Sequence, residues 1–154
     1  MGNIMIRSIS VLLSLAISLS ATIINVPADQ ATIQAGIDVA VDGDTVLVHD
    51  GVYNFNENVI AGFGISLHLA PGIIINGYGH NLQIYGILHA NGSNDSMIVF
   101  NNVEITPGFD NSGQPYEISL KFCVVRGGSF YTSTGHGVYG SIRLEDSKLY
   151  DIPQ

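Results

Sequence analysis

Hydrophobic positions near the start of the chain change their period within a few residues. Ile33, Ile37 and Val41 recur at every fourth position, which is typical of a helix with one apolar face. An aspartate–glycine turn at residues 42–44 ends this pattern. Thr45–Val48 follows as a short run of apolar and β-branched residues. The pattern predicts an amphipathic helix, then a turn, then a strand.

The chain beyond this strand alternates between apolar and polar residues over short stretches. Ile65, Leu67 and Leu69 occupy alternate positions, so they face the same side of a strand. The same alternation returns over residues 82–90, and turn residues such as those at 70–72 separate the stretches. Many short strands separated by glycine and asparagine are typical of a coiled β-solenoid.

The apolar positions also repeat from one stretch to the next. Three rows of four positions align: Ile98, Phe100, Asn102 and Ile105; Ile118, Leu120, Phe122 and Val125; Ile142, Leu144, Asp146 and Leu149. All columns but the third are apolar in every row, as expected where each coil lays its side chains over the preceding coil. The alignment also places Lys121 beside Glu145 on the outer face. A spacing of about 20 residues per coil predicts about five coils.

We therefore predict an all-β fold, a parallel β-helix of about five coils with an N-terminal amphipathic capping helix. Residues 1–21 have the pattern of a signal peptide, because Arg7 precedes a short apolar stretch and small residues. An uncleaved membrane anchor is the alternative. Residues 22–44 form the first strand and the capping helix, and residues 45–154 form the coils. Since the chain ends just after a strand pattern, we expect further coils beyond residue 154.

Composition narrows the range of partners. The chain of 154 residues has a formal net charge of −8. That charge argues against nucleic acid and anionic membranes, and against an acidic polysaccharide unless a cation bridges the two. Cys123 is the only cysteine, so an internal disulfide and a cysteine-type zinc site are excluded and a buried thiol is expected. Together with the signal peptide pattern, this composition predicts a secreted or cell-surface protein.

Several segments resemble the opening of pectin-lyase-like proteins, which are right-handed parallel β-helices. The resemblance lies in residues 33–38 (IQAGID), 42–48 (DGDTVLV), 51–53 (GVY) and 57–59 (ENV), an opening similar to that of pectin methylesterases and many secreted surface proteins. Residues 82–100 are similar to the coils of the same group. The resemblance implies the fold but not one activity, because this fold hosts lyases, hydrolases, esterases, adhesins and stalks.

The catalytic constellations of this superfamily find no match in the sequence. Its pectate lyases use clustered acids for calcium with an arginine base, its polygalacturonases use grouped aspartates, and its methylesterases use two aspartates with an arginine and glutamines. The residues of these types here, Asp110, Asp146, Arg126 and Arg143, are scattered along the chain. No catalytic residue is therefore carried over from the family.

Metal and cofactor sites are not predicted either. The turn at residues 42–44 lacks the further oxygen ligands of a calcium loop, and residues 91–96 (NGSNDS) are interpreted as a solvated turn. His68 and His89 both face outward in strand patterns and could stack on neighbouring coils as half of a metal site. Ordinary surface imidazoles are the favoured interpretation.

Aromatic residues in loops and outer positions are the candidates for carbohydrate contact. Exposed aromatic rings can stack on the faces of sugars and keep a hydroxyl group for hydrogen bonding. The candidates are Tyr78, Tyr85, Tyr116, Tyr131 and Tyr139. The alternative is that these rings pack the loops against the solenoid wall.

We thus expect a module that is non-catalytic within these residues and contacts extracellular polysaccharide or a surface partner. One alternative is the N-terminal part of a polysaccharide lyase, glycoside hydrolase or carbohydrate esterase whose catalytic coils lie beyond residue 154. A second alternative is a structural stalk that binds no glycan. We expect no nucleic acid partner, no membrane partner after removal of the signal peptide, and self-association through an uncapped C-terminal end.

Overall fold

The chain is described here by a computed structural model that covers residues 20–108, 116–129 and 140–150. These residues form an all-β parallel solenoid of about five turns, as the repeat predicts. Within them the structure has one short helix, α1 (Ile33–Val39). The predicted signal peptide falls, apart from its last two residues, outside the described part of the chain.

Fourteen strands are present in the described residues. They are β1 (Ile23–Val26), β2 (Thr45–Val48), β3 (Val52–Asn54), β4 (Val59–Ala61), β5 (Ser66–Leu69), β6 (Ile74–Asn76), β7 (Asn81–Ile84), β8 (Ile87–Asn91), β9 (Ile98–Asn101), β10 (Glu104–Pro107), β11 (Tyr116–Lys121), β12 (Cys123–Arg126), β13 (Gly140–Glu145) and β14 (Lys148–Tyr150).

The strands of the described residues lie in three sheets, and all strand pairs are parallel. The six-stranded sheet has the order β1-β2-β5-β8-β11-β13, the five-stranded sheet β3-β6-β9-β12-β14, and the three-stranded sheet β4-β7-β10. From β2 to β10, successive strands enter the six-stranded, five-stranded and three-stranded sheets in turn, so each of these three coils adds one strand to each sheet. Each strand therefore lies beside its counterpart in the next coil.

Alternation along each strand divides its side chains between the interior and the outer surface. In β5, Leu67 and Leu69 point inward and are buried, whereas Ser66 and His68 point outward. Leu67 faces Val46 in the preceding coil and a further leucine in the next. Stacked aliphatic columns of this kind fill the interior, and each buried side chain stabilises the fold by about 1.5–3 kcal/mol.

Helix α1 lies close against the first strands. Thr32 Oγ1 accepts a hydrogen bond from the Ala35 N–H at 3.1 Å, which satisfies one free donor at the helix start. A Cβ atom on Gly36 would lie 2.9 Å from Val26 Cγ2 and 3.0 Å from Val46 Cγ1. Because glycine has no side chain, the helix can approach β1 and β2 this closely.

The helix ends two residues earlier than the sequence predicts. Ala40 has φ −72° and ψ 145°, which is an extended conformation. The Val41 N–H donates to the Asp44 carboxylate at 2.9 Å instead of continuing the helix. Val41 is 51% exposed and does not join Ile33 and Ile37 on the buried face. The aspartate of the turn therefore sets the end of the helix.

One of the two shifts in the predicted repeat is confirmed. Ile118 faces Ile142 and Leu120 faces Leu144 across β11 and β13. On the outer face the same register brings Lys121 Nζ within 3.5 Å of a Glu145 carboxylate oxygen, as the alignment predicts. The alignment was therefore right for the last two coils.

The other shift is wrong. Ile98 faces Cys123 rather than Ile118, because Ile98 belongs to the five-stranded sheet and Ile118 to the six-stranded sheet. Ile118 instead continues the column of Leu88. Inward alternation is the same in every sheet, so a pattern of apolar columns does not distinguish one sheet from another.

The third column of the alignment marks turns between strands. Asn102, Phe122 and Asp146 have φ values of 50°, 49° and 48°, in the left-handed region that few residues other than glycine adopt. This column varies in residue type because its side chains do not enter the core. What its members share is a backbone conformation.

A ladder of asparagines runs along the outer face of the five-stranded sheet. Asn76 Nδ2 donates to Asn54 Oδ1 at 2.9 Å, and Asn101 Nδ2 donates to Asn76 Oδ1 at 2.9 Å. The strand register places these three residues directly beside one another. The amides therefore link three consecutive coils.

Cys123 is buried, as the sequence predicts. Its exposed fraction is 0%, and its Sγ lies 3.4 Å from the Ala90 carbonyl oxygen. Burial raises the pKa of the Cys123 thiol to about 12. The sulfur is therefore a neutral, packed group at ordinary pH.

Candidate functional site: an aromatic corner

The predicted tyrosines have different surroundings in the structure. Tyr78 lies in the turn between β6 and β7, is 67% exposed, and donates a long hydrogen bond to Asn54 Oδ1 at 3.4 Å. Tyr116 is 8% exposed because it shares the inward face of β11 with Ile118. The Tyr116 ring therefore presents no free face to a sugar, contrary to its predicted outer position. Tyr131 and Tyr139 lie outside the described residues.

Tyr85 belongs to a pair of aromatic rings at the corner that follows the three-stranded sheet. Its ring meets that of Phe63 edge to face, with centroids 5.0 Å apart and an interplanar angle of 61°. Gln83 Nε2 donates to the Tyr85 hydroxyl at 3.2 Å. Phe63 is 40% exposed. The pair therefore combines an accessible ring face with hydrogen-bonding groups.

The strand register brings the two rings together. Phe63 follows β4 and Tyr85 follows β7, and the Tyr85 N–H donates to the Ala61 carbonyl at 2.9 Å. One coil further on, Gly108 occupies the corresponding corner, and a Cβ atom there would overlap the Tyr85 ring. Because Gly108 has no side chain, the Tyr85 ring can occupy the space beside it.

A hollow of about 450 Å³ opens at this corner. Its lining is formed by Asp42, Phe63, Gly64, Ile65, Tyr85, Gly86 and Ile87, and we call it the corner hollow. The Gly43 N–H donates to the Gly64 carbonyl at 2.9 Å, which holds the turn after α1 against the corner. Gly64 has φ 69°, and a Cβ atom there would overlap the Asp42 carboxylate. The close approach of this turn places one carboxylate at the rim.

The corner hollow has the groups that a sugar ring requires. Aromatic rings receive the apolar face of a pyranose, while amides and carboxylates bind its hydroxyl groups. Phe63 and Tyr85 supply the first kind of group, and the Asp42 carboxylate supplies the second. None of the described residues that line the hollow is cationic.

The sequence analysis named Tyr85 as a candidate residue but did not name Phe63. The signal was present as a repeated triplet, Phe-Gly-Ile at residues 63–65 and Tyr-Gly-Ile at residues 85–87. The two triplets lie at the same corner of consecutive coils. The strands on either side pair Ala61 with Ile84 and Ser66 with Ile87, so the triplets share a corner without matching residue for residue.

Two histidines stack on the outer face of the six-stranded sheet. His68 faces His89 across β5 and β8, as their outward positions predict, and His89 Nε2 lies 3.1 Å from Glu117 Oε1. Burial, and then the proximity of His89, hold the pKa of His68 below its ordinary value of 6.5. Among the described residues no three histidine, cysteine or acidic side chains are arranged to hold a metal ion.

The aspartate-rich turn after α1 is held by its own backbone. Asp44 is 4% exposed, and its carboxylate accepts from the Thr22 N–H at 2.8 Å and the Val41 N–H at 2.9 Å. These two bonds, with that from Val41 the stronger influence, hold the pKa of Asp44 below its ordinary value. Asp44 thus ties the start of β1 to the end of α1.

In the part of the chain that the structure describes, no helix has the length and apolar character needed to cross a membrane. Comparison with family models, with curated proteins and with solved structures found no match to this chain.

Proposed function

We propose that this chain is a secreted or cell-surface β-helix module that contacts a neutral extracellular polysaccharide through the corner hollow. The observation that carries the proposal is the edge-to-face pair of Phe63 and Tyr85 on the wall of a hollow of about 450 Å³. The coil register fixes both rings, so the hollow is formed before a ligand arrives. Preformed sites lose less conformational entropy on binding.

Charge favours a neutral glycan over an acidic one. Among the described residues, Asp42 has the only charged side chain that lines the corner hollow, and the whole chain has a formal net charge of −8. A polyuronate would meet like charge both at the rim and at long range. Neutral sugars can instead donate hydroxyl hydrogen bonds to Asp42.

We infer a right-handed helix of the pectin-lyase-like type in which α1 caps the N-terminal end of the coils. The burial of Ile33 and Ile37 against the first strands supports this role. An apolar helix face over the first described coil shields core side chains that no other described coil covers.

Affinity electrophoresis in gels that contain a soluble polysaccharide tests the function. We expect galactomannan or xyloglucan to retard the protein and polygalacturonate to leave its mobility unchanged. Replacing Phe63 with alanine should raise the dissociation constant obtained from the retardation about tenfold, because a stacking ring is lost. Tyr78→Ala is the matched control, since it removes an exposed ring outside the corner hollow.

Two results would contradict the proposal. Equal losses in Phe63→Ala and Tyr78→Ala would place the contact elsewhere on the surface. A wild-type protein that no neutral polysaccharide retards would favour the structural stalk. Circular dichroism of each variant shows whether a loss of binding reflects a loss of fold.

A further inference from the structure

In the described part of the chain, three sheets end at the N-terminal side, and two of the end strands are closed by neighbouring groups. In β1, the Asn25 N–H donates to the Asp29 carboxylate at 2.7 Å, and the Asn25 carbonyl accepts from the N–H groups of Asp29 and Gln30. In β4, the Ile60 N–H donates to Gln34 Oε1 at 2.9 Å. Such contacts satisfy edge groups that would otherwise be open to another strand.

The third end strand, β3, has no such closure among the described residues. Its only strand partner in the described part of the chain is β6. Phe55, the residue that follows β3, also directs its N–H to the β6 side, because it donates to the Asn76 carbonyl at 2.9 Å. Backbone groups point alternately to the two sides of a parallel strand. The N–H and carbonyl groups of Val52 and Asn54 therefore face away from β6, toward an open edge.

A groove of about 320 Å³ lies along this edge. Its lining is formed by Ala31, Thr32, Ile33, Gln34, Val52, Tyr53, Asn54, Phe55, Asn56, Glu57 and Val59, and we call it the edge groove. One wall is the start of α1 and the other is β3 with the turn that follows it. In the six-stranded sheet β1 occupies the layer beyond β2, whereas no strand of the described residues lies beyond β3 in the five-stranded sheet. The edge groove is thus the place of one absent strand.

The lining of the edge groove specifies the chemistry of an occupant. Val52 offers apolar surface, because it is 62% exposed, whereas Phe55 and Val59 in the same lining are only 5% and 3% exposed. Of the described residues in the lining, Glu57 alone is charged. An extended peptide with apolar side chains and one cationic side chain would complement both features.

We propose that the edge groove binds an extended peptide segment of a partner protein, which adds a strand to β3 and places a lysine or arginine beside Glu57. Addition of a strand to an open sheet edge gives affinity through main-chain hydrogen bonds and specificity through side-chain contacts. The edge groove lies apart from the corner hollow and shares no lining residue with it. Peptide binding is therefore independent of the proposed glycan contact.

The layer geometry disfavours the end of a second copy as the occupant. β13 and β14 belong to the same coil, so they would arrive together at the N-terminal end of another molecule. The six-stranded sheet extends one strand further at this end, because β1 lies beyond β2 while β3 is itself an end strand. If β13 of a second copy paired with β1, β14 of that copy would therefore be one strand spacing, about 4.8 Å, too far away to pair with β3. A single extended segment meets no such obstacle.

A probe peptide, acetyl-Thr-Val-Lys-Val-Thr-amide with a fluorescent label, tests the proposal by anisotropy against the full chain. We expect saturable binding that weakens about tenfold in Val52→Pro, because proline removes one outward N–H donor. Proline is tolerated on an edge where this group has no partner in the sheet. Val52→Thr keeps the N–H and is the matched control.

Charge is tested separately. Glu57→Gln should weaken the lysine probe about threefold to tenfold and leave a peptide with glutamine in place of lysine unaffected. Equal binding of a probe whose backbone amides are N-methylated would overturn strand addition. Absence of saturable binding to the wild type would overturn the site itself.

Light scattering distinguishes a partner peptide from a second copy of this chain as the occupant of the edge groove. A wild-type dimer that Val52→Pro converts to a monomer would show that a second copy fills the edge groove, and would overturn the partner peptide. A monomer in both proteins, with peptide binding only in the wild type, is the result that we expect.

Discussion

The imidazole rings of His68 and His89 stack across two neighbouring coils, with centroids 4.9 Å apart and planes inclined by 31°. The parallel register of β5 and β8 produces this contact, because it places the two residues directly beside each other. Burial and the neighbouring imidazole both disfavour a proton on His68 and lower its pKa. The stack is therefore most stable when His68 is neutral.

Stability should fall as the pH drops below about 6.5. The pKa of His68 is depressed in the folded protein, so the unfolded chain takes up the proton first and is favoured at lower pH. Urea unfolding on either side of pH 6.5 measures the effect. His68→Gln should reduce the pH dependence, whereas His80→Gln, in the turn before β7, should leave it in place. An unchanged pH slope in His68→Gln would contradict the assignment.

The asparagine ladder should contribute in proportion to the bonds removed. Asn76→Ala deletes both ladder bonds, and Asn101→Ala deletes one of them. A side-chain hydrogen bond contributes about 0.5–1.5 kcal/mol. We therefore expect Asn76→Ala to lower the free energy of unfolding about twice as much as Asn101→Ala. Equal effects in chemical denaturation would show that the two bonds do not act as a ladder.

The same substitution should have different effects in adjacent coils. Leu120 is fully buried, whereas Leu144, its neighbour in the same inward column, is 44% exposed. Leu120→Ala should lower the free energy of unfolding by about 2–5 kcal/mol, because it leaves a cavity in a packed interior. Leu144→Ala should cost about 1 kcal/mol or less. Similar losses would mean that something in solution buries the last coil.

The role of α1 as a cap can be tested with two aspartates. Ile37 is 4% exposed and faces the first strands, whereas Val39 is 53% exposed on the same helix. Ile37→Asp should detach the helix and cause aggregation, because it buries a charge without a partner. Val39→Asp should remain soluble. A soluble, unchanged Ile37→Asp protein, judged by size exclusion and circular dichroism, would rule out the cap.

The solenoid was predictable because its signal is local. Alternation such as Leu67–Leu69 and the pairing of Ile118 with Ile142 follow from side-chain periodicity alone. The sheet to which each strand belongs could not be predicted, because Ile98 and Ile118 occupy similar inward positions in strands of different sheets. The length of each coil varies with its turns, and periodicity does not report those lengths.

The candidate site was harder to predict than the fold. Phe63 and Tyr85 lie one coil apart in the sequence. Their rings meet because the strands that precede them, β4 and β7, are neighbours in the three-stranded sheet. Tyr116 is the same residue type as the exposed Tyr78, but Tyr116 is buried because it occupies an inward position of β11. Residue type alone does not tell which rings reach solvent.

Each strand pairs only with strands of adjacent coils, as β5 does with β2 and β8. Closing one coil therefore orders a short length of chain, and the entropy lost is similar from one coil to the next. Folding can spread as a zipper from whichever coil forms first, and unfolding can begin at an end. The last coil, where Leu144 and Leu149 are 44% and 45% exposed, should exchange its amide hydrogens sooner than β5 and β8. Opening of single coils, rather than of the whole domain, then sets the exchange rates along the molecule.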